Sequence, residues 1–333
     1  MSNVALSMTP TRLSPIIFLI LIYCACQSSG GFEIAPSIGT DHLHDVEALN
    51  DKEAFACSYG TGNIYQTTNS GLGWKKLAQL DSVYFEQIQF TDSLTGWICG
   101  EQGKIYRTQD GGKTWQNISI NLPEAEGNLL LYALYFEDDM NGLVGGMSVN
   151  FQTRQRKIRL YRTKNGGQSW TETETPTMLM NIMKGPDNRI WGMGSRMVLV
   201  KDKLDAPWQI LLQSDSTRKI ADIRSLDFSL KSGRVIAAEF STGNLHISND
   251  HGKTWTTESI TKNRLRSIMR YKDRDWLAVG DLNKESGNVF HSHDDGYTWE
   301  RDSLKYPDIH RLALSKDYVW AVGKDGFSAR LKR

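Results

Sequence analysis

The chain has 333 residues, of which 10% are aromatic and 29 are glycine, with 39 basic against 38 acidic side chains. That length suits one domain with a sizeable core and is short for two of ordinary size. Near-zero net charge argues against a general nucleic-acid binder, which would carry a strong basic excess.

At the N-terminus, Arg12 precedes the apolar run Ile16-Ile17-Phe18-Leu19-Ile20-Leu21-Ile22. The run is short for a spanning helix and right for a secretory signal. It ends in Tyr23-Cys24-Ala25-Cys26, followed by the polar stretch 27–31. This resembles a bacterial lipoprotein signal, in which a Cys just after the apolar run becomes the lipidated N-terminus. Cys26, preceded by Ala25, is a better acceptor than Cys24, preceded by bulky Tyr23. Tyr23 stands where the lipoprotein pattern usually has Leu, so a plain cleaved signal is the alternative. Either reading expects residues 1–26 as a signal, 27–31 as a short tether and 32–333 as one extracytoplasmic domain.

Seven opening strands align over the rest of the chain, at 43–49, 85–90, 131–136, 179–183, 223–228, 265–270 and 309–314. Each precedes a Gly-rich apolar second strand, such as 96–99, 141–145 or 276–280. Most then show a third strand that ends in one motif: Ser or Thr, a gap, Asp or Asn, a gap, Gly, a gap, a small residue, then Trp. Copies occupy 67–74, 108–115, 163–170, 248–255 and 292–299. Spacing of roughly 40 to 55 residues is in the size range of propeller blades.

The motif is turn chemistry between two strands. Asn69, Asp110, Asn165, Asp250 and Asp294 are placed to accept from backbone donors of the turn, and the glycines after them tolerate positive φ. Trp74, Trp115, Trp170, Trp255 and Trp299 then bury an indole over the corner and open a fourth strand. The last unit runs out after three strands, and residues 32–38 would supply its fourth. That pairing closes a ring and leaves few exposed edges. The expected fold is all-β, a single seven-bladed β-propeller; six and eight blades are the alternatives.

These motifs resemble the Asp-box of sialidases, xyloglucanases and sortilins. The wider unit around the second copy is Phe90, Asp92, Gly96-Trp97, Gly100, Gly103, Ile105, Arg107-Thr108 and Asp110-Gly111-Gly112. It is similar to the repeat of the photosystem II stability/assembly factor family, which implies a seven-bladed propeller with an assembly-factor role. A sixth repeat is frayed, because 200–208 has lost the glycines.

No cofactor or metal fingerprint survives inspection. Gly112-Lys113-Thr114 and Gly252-Lys253-Thr254 mimic the end of a P-loop but lack its first glycine. His42/His44 and His291/His293 are His-x-His pairs better explained without metal. Cys57 and Cys99 hold matching places in adjacent units, too far apart for a disulfide, and are expected as buried free thiols. Sialidase chemistry needs an Arg triad and a Tyr nucleophile, yet no Arg-Ile-Pro appears and no Arg lies between Arg12 and Arg107.

What remains is a surface for partners. The strand alignment puts His44, Glu86, Tyr132, Met180, Arg224, Arg266 and His310 in one column at a channel mouth. A second column holds Asp45, Gln87, Ala133, Asn181, Ser225, Ser267 and Arg311. The long 148–157 connection of the third unit adds Arg154 and Arg156, with Arg159 and Arg162 continuing the basic run. A basic loop on a rigid scaffold suits an acidic partner. The expected function is a non-catalytic, lipid-anchored propeller that binds another protein or assists assembly of a membrane complex. The alternative is a glycan-processing or glycan-binding propeller using Glu86, Tyr132 and Arg266 at the same mouth.

Overall fold

In the computed structural model, which describes residues 31–229, 231–281 and 287–333, the repeated motif folds into the same hairpin corner each time. Cys24, Cys26 and the apolar run before them lie outside the described residues. At the second copy, the Thr108 hydroxyl accepts from Gly112 N–H at 2.8 Å and donates to Asp110 Oδ1 at 2.9 Å. Asp110 in turn accepts from Thr114 N–H at 2.9 Å and from the Thr114 hydroxyl at 2.7 Å. Trp115 Nε1 donates to Gly112 O at 3.0 Å, laying the indole over the turn. Each corner takes two successive left-handed residues. The first tolerates Ser70, His251 or Asp295, whereas the second is always Gly.

The reason lies in the neighbouring blade. A Cβ on Gly112 would meet Leu77 at 2.8 Å and Phe55 at 3.2 Å; one on Gly71, Gly167, Gly252 or Gly296 would run into Trp320, Ile118, Trp191 or Ile236. Each corner therefore locks its own hairpin and also seats it against the blade before. Because the indole is committed to the corner, the fourth strand starts one residue after the Trp rather than at it, as in Lys75–Gln79 and Thr256–Ser259. In the frayed repeat, Lys201 stands in the hydroxyl position. Its ammonium donates to Leu204 O at 2.7 Å and Ala206 O at 3.4 Å and lies 4.4 Å over the Trp208 ring. The corner survives with its hydrogen-bond polarity reversed.

The described residues form seven four-stranded antiparallel sheets. Their innermost strands are His42–Ala48, Phe85–Phe90, Asn128–Phe136, Leu179–Lys184, Ile223–Ser229, Leu265–Arg270 and Ile309–Leu314. The chain is a seven-bladed β-propeller. Blade seven is completed from the front of the chain: Glu33–Ile34 pairs with Ser328–Lys332, Glu33 opposite Arg330. Phe32 is 7% exposed, its ring 5.8 Å edge-on from Tyr306. The core sits between blades, where the apolar side chains of adjacent sheets interdigitate, and Trp97, Trp191, Trp276 and Trp320 are its largest fully buried members. Cys57 and Cys99 are buried and free, and burial pushes both thiols up.

Candidate functional site

Every innermost strand breaks register once, at the same height. The pairing skips His44, Glu86, Tyr132, Met180, Arg224, Arg266 and His310 in blades one to seven. Such a β-bulge leaves one residue unpaired and re-aims its side chain. In five blades the residue opposite the strand just before the bulge is Gly: Gly100, Gly146, Gly194, Gly280 or Gly323. A Cβ on Gly146 would lie 1.9 Å from Leu130 O, so only glycine lets the inner backbone approach that closely. Blades one and five use Ser58 and Glu239 there.

The seven bulged side chains line one cavity at the end of the channel, with Phe240 and Arg311. It opens outward into a basin of about 420 Å³ that adds His42, Tyr59, Glu101, Arg264 and Lys324. The sequence alignment placed the first ring but missed the second. Tyr59, Glu101, Phe240 and Lys324 each directly follow the second-strand residue that faces the bulge, and that offset was the available signal.

One wall is cationic. Arg224, Arg264 and Arg266 surround the Phe240 ring at 4.0, 5.4 and 5.5 Å. Arg266 is held by Asp281 through bonds of 2.6 and 3.1 Å, and Arg264 lies 3.6 Å from the same carboxylate. Among the described residues the Arg224 guanidinium has no hydrogen bond, and its Nε is buried. Burial pushes Arg224 down from its usual value, opposed by the Glu86 charge. The other wall is aromatic: His44 stacks on Tyr59 at 4.9 Å, and Tyr59 on Tyr84 at 4.1 Å. His310 meets His44 edge-on at 5.7 Å and bonds Leu43 O at 2.9 Å. Burial, with Arg266 and His44 nearby, pushes His310 well below its ordinary range, so it is neutral at pH 7.

Two carboxylates share this mouth. Burial pushes Glu86 up, but His44 at 3.0 Å, with Arg224 and Arg266, outweighs it and holds the carboxyl below the usual range. Burial and the Glu86 charge push Glu101 up. The same two causes raise Tyr132.

The second column turns out to be a seam between blades. Asp45 accepts from Ile88 N–H, Gln87 from Leu134 N–H, and Ser225 from Ile268 N–H. Gln87 also reaches Asn181 at 3.2 Å, passing the gap left by Ala133, and Asn181 bonds Arg224 O. Arg311, expected to contact a partner, bonds Asp45 at 2.7 Å and ties blade seven to blade one. The blade-three hairpin rises on the mouth side, since Asn128 pairs with Val149 ahead of the bulge. Arg154 and Arg156 are exposed there, beside Phe151 at 68% exposure. Arg159 and Arg162 do not extend the basic cluster. Arg159 is buried and paired with Glu126 and Glu172, and Arg162 is turned to Asp205.

With this geometry in view, the likenesses to known proteins are specific. Residues 62–216 match the sortilin family model (Sortilin-Vps10; sortilin, neurotensin receptor 3). The photosystem II assembly lipoprotein Ycf48 of Synechococcus sp. (strain CC9902) is 29% identical over 112 residues, 34% of this chain and 30% of that relative. Its counterpart in Parasynechococcus marenigrum (strain WH8102) is 42% identical over 52 residues, 16% of this chain and 15% of that relative. A solved structure described as YCF48 bound to D1 peptide superposes with a TM-score of 0.69 at 18% identity, covering 91% of this chain and 97% of that one. This chain is an Asp-box propeller similar to the photosystem II assembly factors. The matched stretches span less than a third of those curated relatives' lengths.

Proposed function

We propose that this propeller is a non-catalytic assembly factor that captures a segment of a client protein at its channel mouth. The observation that carries the reading is Arg224, a half-buried guanidinium with a buried Nε and no hydrogen bond among the described residues, at the base of a basin where seven bulged side chains converge. Glu86 and the face of Phe240 offset its charge in part, but its unused N–H donors would be satisfied by a ligand that brings acceptors. An acidic group of the client would seat against Arg224, and its flanking residues would lie over Tyr59 and Tyr84. Arg154 and Arg156 on the blade-three hairpin would steer approach. The likeness to Ycf48, one structure of which carries a D1 peptide, supports a protein client.

The relatives' description as lipoproteins supports attachment through Cys26 with the propeller outside the cytoplasm. Among the described residues no helix is long and apolar enough to cross a membrane. Mass spectrometry of the mature N-terminus tests this attachment: a diacylated Cys26, absent in Cys26→Ser, is the expected result.

A photo-crosslinking residue in place of Met180 should trap the client, and Arg224→Ala with Arg266→Ala should abolish trapping without changing the circular dichroism spectrum. Undiminished trapping by that folded double variant would rule out the mouth. A second reading rests on Glu86 and Glu101, two carboxylates pushed apart in pKa on one cavity, which is how an acid and a base are assigned in glycoside hydrolysis. Turnover of aryl glycosides that is lost in Glu86→Gln would establish it.

A further inference from the structure

The seam of second-column side chains divides the channel, and a separate cavity of about 600 Å³ lies on the side away from the mouth. Its walls include a third column, two residues beyond the second on each innermost strand, with Glu47, Gln89, Tyr135, Met183, Asp227 and Met269. Glu47 and Asp227 project from blades one and five, on opposite walls of the seven-bladed ring.

The equivalent side chains show what is unusual here. Gln89 accepts from Phe136 N–H at 2.7 Å and Asp227 from Arg270 N–H at 2.8 Å, each reaching the next blade. Glu47 occupies the same position and has no hydrogen bond or ion pair among the described residues. Tyr135, 5% exposed and contributed by blade three, has a hydroxyl with no hydrogen-bond partner among the described residues. The other charged groups lining the cavity cancel in part: Arg311 is bound to Asp45, and Lys184 to Glu137 at 3.2 Å. Glu47 and Asp227 are therefore the acids of this chamber without an ion pair among the described residues, and they carry charge as pH rises past their raised values. The mouth side carries three arginines instead.

We propose that this second chamber binds an organic ammonium group, an alkylamine with an apolar stem, between Glu47 and Asp227. A caged metal ion is a poor fit, because no three His, Cys, Asp or Glu groups converge among the described residues. Met183 and Met269 instead offer soft apolar walls to a methylene chain, and the carboxylates supply acceptors to the ammonium. The ammonium comes either from a free amine or from a lysine side chain of a protein entering the channel end.

The titration behaviour agrees with this geometry. Burial, then the Asp45 charge, pushes Glu47 up to about 8 against the pull of Arg311, and burial pushes Asp227 up to about 6. An alkylammonium stays charged to about pH 10, so binding should strengthen as pH rises from 6 to about 8.5 and both carboxylates ionise.

Calorimetry of the purified chain with 1,5-diaminopentane, and separately with a capped lysine tripeptide, tests the proposal. Saturable binding of either probe is expected, and the tighter of the two identifies the source of the ammonium. Glu47→Gln with Asp227→Asn, which keeps the acceptor for Arg270 N–H, should weaken it about tenfold or more. Arg224→Ala at the mouth should leave it unchanged, which separates this site from the proposed client site. Absence of binding to both probes at pH 8.5 would overturn the proposal. So would equal binding by a double variant whose circular dichroism and melting temperature match the parent, or full displacement by potassium or calcium.

Discussion

At the scale of single residues, the two glycines of a corner are not equivalent, although both have positive φ. Gly111 (φ 71°) holds a position where other copies place Ser, His or Asp, while Gly112 (φ 80°) abuts Leu77 and Phe55 of the previous blade. Gly111→Asn should therefore stay within about 0.5 kcal/mol of the parent in urea unfolding, and Gly112→Asn should cost about 2 kcal/mol or more. Similar losses for the two would mean that the corner does not seat on its neighbour. Glu47 gives a pH prediction whose sign follows from its raised value. The folded state holds a proton that the unfolded state has released, so this stability is complete below the ordinary glutamate value of 4.5 and is lost as pH rises through about 8. Glu47→Gln should melt with the parent at pH 4.5 and above it at pH 8.5. Asp110 and Asp294 act at the other end of the scale. Their carboxyls are held near 2; at Asp110 the Thr114 hydroxyl and N–H bonds lead, and at Asp294 the bonds from Thr298 outweigh burial. Stability from these corners is present above 3.8 and declines as pH falls toward 2.

At the scale of elements, the bulge is the device that makes the site. A strand alternates its faces, so without the bulge the first and second columns would point to opposite sides of the sheet. With it, His44 and Asp45, or Arg224 and Ser225, both face the channel region: one toward the mouth, one into the seam. Alignment of the sequence found both columns because they repeat, yet it read them as one lining, since nothing in a single strand marks a register break. The facing glycine does mark it once two strands are paired. Gly146→Ala should cost about 2 kcal/mol or more, since its Cβ would press on Leu130 O and on the Leu131 Cα. It should also displace Tyr132 and weaken client trapping. A variant as stable and as active as the parent would show that the close approach is not required. Blade four makes the complementary point: its motif was legible only as damaged, and the replacement of a hydroxyl by the Lys201 ammonium depends on carbonyls that the turn presents only when folded.

At the scale of the whole molecule, the ring is closed by a short segment that carries unusual responsibility. Glu33–Ile34 is only two residues long, yet it covers the edge of Ser328–Lys332, and Phe32 fills the core between blades six and seven. His310 and Arg311 join the same closure at the innermost strands through Leu43 O and Asp45. Phe32→Ala should cost about 3 kcal/mol or more. Deleting residues 32–38 should lower the melting temperature further and promote association through the uncovered edge. An unaltered melting curve for the deletion would mean that the closure contributes nothing. The channel inside this ring has two chambers, one lined by Arg224, Arg264 and Arg266 and the other by Glu47 and Asp227, which no single blade contains.

The sequence by itself determined the repeat, the corner chemistry, the seven inner strands and the pairing of first and last segments. Each depends on contacts within one hairpin, or on a period that recurs down the chain. Only the tertiary structure decided which polar residues bond across the seam and which line the mouth. Arg311 and Arg224 are both arginines on inner strands, one residue apart in the repeat, yet one is paired with Asp45 and the other lies over Phe240 with no hydrogen bond among the described residues. That difference is set by which side chains from other blades arrive opposite them, across separations of up to 266 residues, as between Arg311 and Asp45. The same holds for Tyr59 and Phe240, which matter because of the ring nitrogens and guanidinium groups brought over them by the closing of the ring.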